Sequence, residues 1–571
     1  MPARVNDACS AARHSNGGRL ALLGALLALA FPASAIETLT YTLAPEFDRG
    51  VTRVELVWRT EGRSRSVLRV AERWGQIDNV LALLSDLNVM GATFRREGSL
   101  FVLSHPPGGE VTVRYAISPG VSAFSDWKHS HHPITTDTFF HGIGNAFLLT
   151  PNVGSGMPAE YETLLRWRLP AGADAVCSWG AGRNLGARLR VDDLRESVYL
   201  AGKLKTRRVR EDGREVFVAL VDRFKFSLDD FAKMTTEIVR RQAAFMNDTR
   251  FPDFVVTAIP VGEPLREGES RLAGSGLFRS FALMVAPGAE LTDAVEHLFA
   301  HELFHQWNGR LLQAAQPERL AYWFVEGVTD YYALRILFDS GYWDARTYAK
   351  WINKHLREYA RNPAQSATNA DIERDYWRQR GTVGEVAYQR GLLLGLRWHR
   401  LAQSRGVSSG LDTLLHGMLR RARTGPFLVS NETIRHEGVR TLGGWFGQEF
   451  DRYVLRAEPV DVPEDALAPR FTGAVRTVHD LDLGFDYARS LEKRVVRGLT
   501  AGSSAEKAGL RDGDELRGWS IHGDADRKIE LKVKRNGRTR DVSYYPRGTA
   551  RRVMQFEPVR GAASGKAGEP G

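Results

Sequence analysis

The sequence predicts a multidomain α+β protein with a β-sandwich-like N-terminal domain, a mostly helical middle domain and a small C-terminal domain. A chain of 571 residues has room for about three or four domains. Apolar and polar residues alternate with period two up to about residue 224, and helical periodicity dominates from residue 227 onward. A stretch rich in Pro, Asp, Glu and Ala, at 455–470, separates the helical part from the last domain.

The composition is that of an ordinary globular protein. Apolar residues make up 43% and charged residues 26%, which excludes disorder over most of the length. Lys and Arg exceed Asp and Glu by 78 to 68, but they are not grouped in runs, so no nucleic-acid partner is predicted. The two cysteines, Cys9 and Cys177, cannot form a disulfide framework.

The first 35 residues are predicted to be a cleavable export signal. Basic residues precede an apolar run from Leu20 to Phe31, and Ala33-Ser34-Ala35 then provides an A-x-A cleavage site. The run is short for a membrane span, and no other stretch reaches about 18 apolar residues. We expect an exported, periplasmic or secreted protein with no stable membrane span after cleavage. A retained N-terminal anchor is the alternative.

Residues 36–224 are predicted to form the N-terminal β-rich domain. Short alternating runs broken by Gly, Pro and Asp are typical of strands in a sandwich. The clearest runs are Val51–Trp58, Ser99–Ser104, Glu110–Ile117 and Leu165–Leu169.

Residues 225–454 are predicted to form the middle domain. Apolar residues with helical spacing occupy 227–246, and two strand-like runs follow, Phe254–Ile259 and Ser280–Val285, with a glycine-rich stretch between them. Three further helical segments lie at about 292–312, 320–339 and 383–404. A linker at 455–473, a small domain at 474–547 and a tail at 548–571, disordered at its end, complete the predicted organisation.

The segment 301–305, with the sequence HELFH, carries the strongest functional signal. Histidines four positions apart lie on one face of a helix, with Cβ atoms about 6 Å apart. This spacing lets His301 and His305 bind one Zn²⁺ ion at about 2.0–2.1 Å. Glu302 would project beside the ion, where it could accept a proton from a bound water. The segment therefore predicts a catalytic zinc site.

A catalytic zinc site needs a third protein ligand, and Glu326 is the candidate. It follows His305 by 21 positions, enough for one helix to end and a second to return. Its neighbours are aromatic and aliphatic, where a carboxylate is costly to bury unless it is paired or bound to a metal. Asp330, one turn further on, could accept the free N–H of a zinc-bound histidine. A surface aspartate is the alternative.

The segments HELFHQWN and WFVEGVTDYY, a later AYQRG and the C-terminal region resemble the glycyl aminopeptidase family of zinc metallopeptidases. More distantly, they are similar to aminopeptidase N. The resemblance implies a thermolysin-like catalytic domain, a C-terminal PDZ domain and the hydrolysis of peptides or proteins. It also implies one Zn²⁺ ion held by His301, His305 and Glu326, with Glu302 as the general base.

Tyr388, in AYQRG, matches a tyrosine of the family's Tyr-x-Lys-Gly-like segment. In the related aminopeptidases, that tyrosine donates a hydrogen bond to the oxyanion of the tetrahedral intermediate. A donor aimed at developing charge is worth about 2.7–4 kcal/mol. The resemblance thus implies a catalytic role for Tyr388, and a core tyrosine is the alternative.

One segment departs from the family pattern. Where the family carries Gly-Gly-Leu-Glu-His on an edge strand, this chain has Gly274–Ser280, with Phe278 at the position of the glutamate that binds the substrate amine. Phe278 and Arg279 are therefore candidate substrate-binding residues whose side-chain chemistry differs from that of the family. N-terminal trimming and the cleavage of internal or blocked peptides remain alternatives.

The segment 503–516 resembles the helix and turn of a PDZ domain, in which the backbone after Leu483 could bind a peptide terminus. The second helix of such a domain is not evident between His522 and Lys528. A purely structural module is therefore an alternative to a peptide-binding one. A peptide-binding scaffold with a non-hydrolytic peptidase domain is a further alternative for the whole protein.

Overall fold

The computed structural model describes residues 36–118, 129–153, 159–211, 213–264 and 271–559. The predicted export signal and the end of the predicted tail lie outside these ranges. Within them, no helix combines the length and the apolarity that a membrane crossing requires.

The N-terminal part is β-rich, as predicted. Its elements are β1 (Thr38–Glu46), β2 (Val51–Arg59), β3 (Arg65–Arg69), β4 (Leu84–Met90), β5 (Thr93–Glu97), β6 (Leu100–Ser104), β7 (Glu110–Ile117), β8 (Ile134–Thr135), β9 (Phe139–Ile143), β10 (Thr150–Pro151), β11 (Glu160–Trp167), β12 (Asp174–Cys177), β13 (Gly180–Ala181), β14 (Asn184–Arg190), the helix α1 (Val191–Arg195) and β15 (Val198–Gly202). The strands form three sheets, in the orders β14-β11-β1-β2-β7-β4, β10-β3-β6-β5 and β13-β12-β15-β9-β8.

Period-two alternation explains the packing of these strands. In β11 every second side chain is buried, including Tyr161, Leu165 and Trp167, while the residues between them are exposed. A one-residue change of register would turn the apolar set outward, so the core specifies the pairing. The predicted runs Val51–Trp58 and Glu110–Ile117 both lie within observed strands.

A second region begins with a mixed five-stranded sheet. Its strands are β16 (Lys205–Glu211), β17 (Arg214–Leu220), β18 (Phe254–Pro260), β19 (Leu272–Leu277) and β20 (Ser280–Val285). Their order is β16-β17-β18-β20-β19, which leaves β19 at an edge. The strands β16 and β17 precede residue 224, where the N-terminal domain was predicted to end, yet β17 pairs with β18 and β16 pairs with β17, so both belong to this sheet. Alternation identifies a strand but does not identify the sheet that it joins.

Helices form most of the rest of this region, as predicted. They are α2 (Leu228–Phe245), α3 (Asp293–Phe304), α4 (Thr329–Asp339), α5 (Ala345–Arg361), α6 (Asn369–Asp375), α7 (Glu385–Ser404), α8 (Asp412–Thr424), α9 (Asn431–Leu442) and α10 (Gly444–Phe450). A 3₁₀ turn (Glu318–Ala321), three π-helical turns (Trp323–Val328, Arg380–Gly384, Asp451–Leu455) and the paired short strands β21 (Gln313–Ala314) and β22 (Leu428–Val429) connect them.

The C-terminal part combines a two-stranded ribbon with a small module. The ribbon pairs β23 (Phe471–Leu481) with β27 (Arg547–Pro558), and the module contains α11 (Tyr487–Lys493), α12 (Ser504–Lys507), β24 (Glu515–Ser520), β25 (Ile529–Arg535) and β26 (Arg538–Tyr544). Most of β27 lies in the stretch assigned to the tail by sequence. Between β24 and β25, residues 521–528 are described and contain no helix.

Candidate active site

The two histidines of the HELFH segment lie at the end of α3. His301 is within the helix, and His305 is the residue that caps its C-terminus. The sequence predicted a helix to about residue 312, but the chain leaves the helix after Phe304 and continues in turns. Nδ1 of His305 lies 2.9 Å from the carbonyl oxygen of Asn308, so the turn itself orients the second imidazole.

The three predicted metal ligands converge on one point. Nε2 of His301 lies 3.1 Å from Nε2 of His305 and 3.3 Å from Oε2 of Glu326. Nε2 of His305 lies 3.6 Å from the same carboxylate oxygen. Ligand atoms at 2.0–2.1 Å from a tetrahedral zinc ion lie about 3.3 Å from one another. The three side chains therefore fit a single Zn²⁺ ion.

The charges of this cluster also suit a cation. Burial opposes ionisation of Glu326, but the neighbouring His305 and His301 hold the pKa of its carboxyl well below the usual range. Burial likewise opposes a charge on His301, whose pKa is nevertheless raised well above its ordinary value, chiefly by Asp330. The acidic groups that raise this pKa surround the point where the ligands meet, and their negative charge would stabilise a metal cation there.

Asp330 orients the first histidine. Its Oδ1 atom lies 2.7 Å from Nδ1 of His301, which leaves Nε2 directed at the metal position. The same oxygen lies 3.1 Å from Nε2 of His297, one turn earlier in α3. Asp330 is 4% exposed, so the structure places it in the interior and not on the surface.

A close approach of two helical segments positions Glu326. Glu326 lies in the π-helical turn Trp323–Val328, which packs against α7. A Cβ atom on Gly327 would lie 2.6 Å from Cα of Gly391, and one on Gly391 would lie 1.8 Å from the carbonyl oxygen of Trp323. Only glycine fits at these two positions. The contact brings α7, which carries Tyr388, to the metal ligands.

Asn308 is a site residue to which the sequence analysis assigned no role. Its side-chain amide donates to the carbonyl oxygens of Phe324 at 2.9 Å and Val325 at 3.3 Å, and to Oγ1 of Thr329 at 3.0 Å. Asn308 is fully buried. It ties the turn after α3 to the segment that carries Glu326, and its place three residues after His305 is the signal that could have identified it.

Glu302 faces the edge strand of the sheet. Its Oε2 atom accepts a hydrogen bond of 2.6 Å from the backbone N–H of Gly276 in β19. A Cβ atom on Gly276 would lie 2.6 Å from the carbonyl oxygen of Glu302 and 3.0 Å from Oε2. The glycine therefore allows the strand to approach the proposed base closely.

Tyr388 lies on the side of the metal ligands formed by α7. Its ring stacks on that of His301, with 6.1 Å between the ring centres. The hydroxyl groups of Tyr388 and Tyr376 are 3.1 Å apart, and the Arg380 guanidinium lies 4.9 Å from the centre of each ring. Burial and the nearby Glu326 raise the pKa of Tyr388 well above its usual value, so its phenol keeps its proton.

These groups open onto one cavity of about 570 Å³. It is lined by Glu302, His305, Glu326 and Tyr388, and by Gly274–Leu277 of β19. Residues of the N-terminal part also line it, including Trp74, Asn145, Asp193 and Glu196. A second cavity of about 690 Å³ lies along α3 in the direction of its N-terminus and is lined by Leu272, His297, Glu385 and Gln389, among others.

Phe278 and Arg279 form the turn between β19 and β20, and neither lines either cavity. Phe278 is 9% exposed and packs in the core of the N-terminal part. The guanidinium groups of Arg279 and Arg310 lie 5.0 Å and 5.4 Å from its ring centre. Arg279 is exposed and adopts a φ of 47°. The structure thus separates these two residues from the metal ligands.

Comparison with known proteins relates this region to peptidases. Residues 294–388 match the model of the M61 glycyl aminopeptidase family, a stretch that spans both metal-ligand segments and Tyr388. No curated protein matches the chain. An aminopeptidase N family protein from Idiomarina loihiensis shares its fold, with a TM-score of 0.67 and 14% identity, over 92% of this chain and 99% of that one. An M1 zinc metallopeptidase from Deinococcus radiodurans is 17% identical over 75% of this chain and 95% of that one, with a TM-score of 0.48.

Proposed function

We propose that this protein, whose residues 294–388 match the model of the M61 glycyl aminopeptidase family, is an exported zinc peptidase that removes N-terminal residues from peptides. One observation carries the proposal. Two imidazoles and a carboxylate meet within 3.1–3.6 Å of one another, and a second carboxylate, that of Glu302, lines the cavity beside them. Export rests on the sequence of residues 1–35.

His301, His305 and Glu326 would hold the zinc ion, which acts as a Lewis acid that activates water and polarises the scissile carbonyl. Glu302 accepts the proton that the attacking water loses and returns it to the nitrogen of the leaving amine. Gly276 donates its N–H to Oε2 of Glu302 and so fixes the direction of this carboxylate before substrate binds. The edge position of β19 also leaves backbone groups for an extended peptide to pair with.

Tyr388 is the proposed hydrogen-bond donor to the oxyanion. Its hydroxyl retains its proton and can donate a hydrogen bond to the oxygen of the scissile carbonyl as negative charge develops there. Arg380, stacked on Tyr388 and Tyr376 and bonded to Glu385 at 2.6 Å, fixes the position of the phenol. Because the donor is already oriented, little reorganisation is needed during the reaction.

Cleavage of internal or N-terminally blocked peptides is a second candidate, and two observations favour it. Phe278, at the position where the family has its amine-binding glutamate, lies in a hydrophobic core. A separate second cavity lies along the N-terminal half of α3, where a longer peptide could be accommodated. Either mode of cleavage would use the same metal ligands, Glu302 and Tyr388.

Turnover by the purified full chain tests the proposal. Peptides with free and with acetylated N-termini are incubated with the wild type and with Glu302→Gln, and zinc content is measured for both. We expect the variant to retain zinc and to lose about 10²- to 10⁴-fold in kcat, the contribution of a general base. Glu290→Gln, an exposed carboxylate paired with Lys225, is the control. Equal turnover by wild type and Glu302→Gln would contradict the mechanism.

The products decide between the two modes of cleavage. Release of single residues from free N-termini supports the aminopeptidase, and cleavage of acetylated peptides at internal bonds supports the second candidate. Failure of the zinc-loaded wild type to hydrolyse any peptide would contradict both.

A further inference from the structure

Six acidic residues line the catalytic cavity, and the structure gives a role to all but one. Glu326 is a proposed metal ligand and Glu302 the proposed base. Asp193 and Glu196 both pair with Arg310, and Asp192 pairs with Arg195. The remaining acid is Glu318.

Glu318 is the cavity carboxylate without a cation. No ion pair or hydrogen bond is found for its side chain among the described residues. The adjacent Arg319 turns away and binds Glu373, through the backbone oxygen at 3.1 Å and the carboxylate at 2.9 Å. Burial and the negative charge of the nearby Glu326 oppose ionisation of Glu318 and raise the pKa of its carboxyl. A cation bound beside Glu318 would offset both effects.

The position of Glu318 suits a residue that binds the substrate. It begins the 3₁₀ turn Glu318–Ala321, which leads directly into the π-helical turn that carries Glu326. The same cavity contains His305, Glu326 and Tyr388, the groups that would surround the scissile carbonyl. In an N-terminal residue, the amine is only one Cα atom away from that carbonyl, roughly 2.5 Å. A group that binds the amine must therefore line the catalytic cavity.

We propose that Glu318 binds the α-ammonium group of the peptide substrate and thereby selects free N-termini. This inference rests on the proposed peptidase activity and adds the residue that determines its specificity. It replaces Phe278 in that role, since the Phe278 ring is packed in the N-terminal core. Tyr322, whose ring lines the same cavity, offers an aromatic wall beside the carboxylate.

A pair of substrates that differ only in the amine tests the inference. Alanine p-nitroanilide carries the ammonium group, and propionyl p-nitroanilide has the same shape without it. For Glu318→Gln we expect kcat/KM for the alanine compound to fall about 10- to 100-fold, mainly through KM, while the propionyl compound changes less than about twofold. Glu318→Asp, which keeps the charge, should recover part of the loss. Zinc content should equal that of the wild type.

Asp192→Asn is the matched control, because Asp192 lines the same cavity but is paired with Arg195. Asp192→Asn should change kcat/KM only slightly, and by the same factor for the two anilides. Inhibition by alaninamide and by propionamide provides a second measurement, in which only alaninamide should bind more weakly to Glu318→Gln. Equal effects of Glu318→Gln on both members of either pair would overturn the inference, as would no effect on either. Failure of the wild type to cleave the alanine compound or any peptide would instead overturn the proposed function.

Discussion

At the scale of single residues, the site depends on how each ring nitrogen is used. His301 and His305 both direct Nε2 at the same point, while their Nδ1 atoms contact Asp330 and the backbone of Asn308. An imidazole with one nitrogen fixed in this way presents the other as a ligand. The spacing of the histidines and Asp330 as a partner of one Nδ1 were predicted from the sequence, whereas the carbonyl of Asn308 as the partner of the other was not.

Tyr388 gives a prediction at this scale. Tyr388→Phe removes the hydroxyl and keeps the ring that stacks on His301. We expect kcat to fall about 10²- to 10³-fold with little change in KM, because the lost hydrogen bond acts in the transition state. Steady-state kinetics on a short peptide measure both constants. Tyr376→Phe, which removes only the neighbouring hydroxyl, should cost less than about tenfold, and an equal loss in the two variants would contradict the assignment.

At the scale of elements, the end of α3 and the segment before α4 form one unit. Asn308 bonds three groups of the second segment, and the glycines at 327 and 391 let α7 pack directly onto it. The carboxylate of Glu326 therefore reaches the histidines because three segments meet. None of these contacts is local in sequence.

Asn308→Ala tests this unit. The substitution leaves two buried carbonyl oxygens and the hydroxyl of Thr329 without their donor, so we expect a loss of about 1–3 kcal/mol in the free energy of unfolding. Since Glu326 is held less firmly, zinc affinity should fall about 10- to 100-fold. Denaturant unfolding and competition with a chelator measure the two effects. Unchanged zinc affinity in a destabilised variant would show that Asn308 does not position Glu326.

Gly276→Ala tests the approach of β19 to α3. The new Cβ atom would lie 2.6 Å from the carbonyl oxygen of Glu302 and 3.0 Å from its carboxylate, so strand and base must move apart. We expect a loss of at least about tenfold in kcat, as expected for a misplaced base. Gly381→Ala, where a Cβ atom meets nothing within 4 Å, is the control and should leave kcat nearly unchanged. Wild-type kcat in Gly276→Ala would contradict the role of this contact.

At the scale of the whole molecule, the ribbon and the module of the C-terminal part belong to different cores. The ribbon belongs to the core of the helical region, to which it contributes Phe471, Val553 and Phe556. Asn353 of α5 also exchanges two hydrogen bonds with the backbone of Phe556, at 2.9 Å and 2.7 Å. The module between the two ribbon strands has a separate core of its own. Peptide-terminus binding by the module stays a prediction.

Excision of the module tests whether the ribbon, without the module, is sufficient for folding and for the cleavage of short peptides. Leu481 and Arg547 are paired across the ribbon, so an Asn-Gly turn could replace residues 482–546. We expect this variant to fold and to cleave short peptides within about twofold of the wild type, because the module has its own core and none of its residues lines either cavity. A chain that ends at Arg470 should unfold, since it loses three core aromatic or aliphatic side chains worth about 1–5 kcal/mol each.

Thermal melting and peptide turnover measure both variants. If the excised protein folds but no longer cleaves short peptides, the module contributes to the site. If it loses only the cleavage of long or folded substrates, the module has a role in substrate recruitment.

Local patterns in the sequence predicted a group of metal-ligand residues, the β-rich character of the N-terminal part and the helical character of the middle region. The alternation of apolar and polar residues predicted strands such as Glu110–Ile117. Successive side chains of a strand point to opposite faces, so burial of one face produces a pattern within a few consecutive residues. The spacing of His301 and His305 likewise predicted a shared metal, because a helical turn brings positions four apart together. The family match from 294 to 388 supports the zinc peptidase that these residues implied.

Which residues line the cavity depends on contacts between segments that are distant in the chain. Phe278 packs in the core of the N-terminal part, whereas Glu318 lines the cavity and the adjacent Arg319 binds Glu373, 54 positions further along the chain. The strands β16 and β17 belong to the mixed five-stranded sheet because β17 pairs with β18, which begins more than thirty residues after β17 ends. Such contacts join segments that are distant in the chain, and no local pattern of residues records which partner a segment will meet.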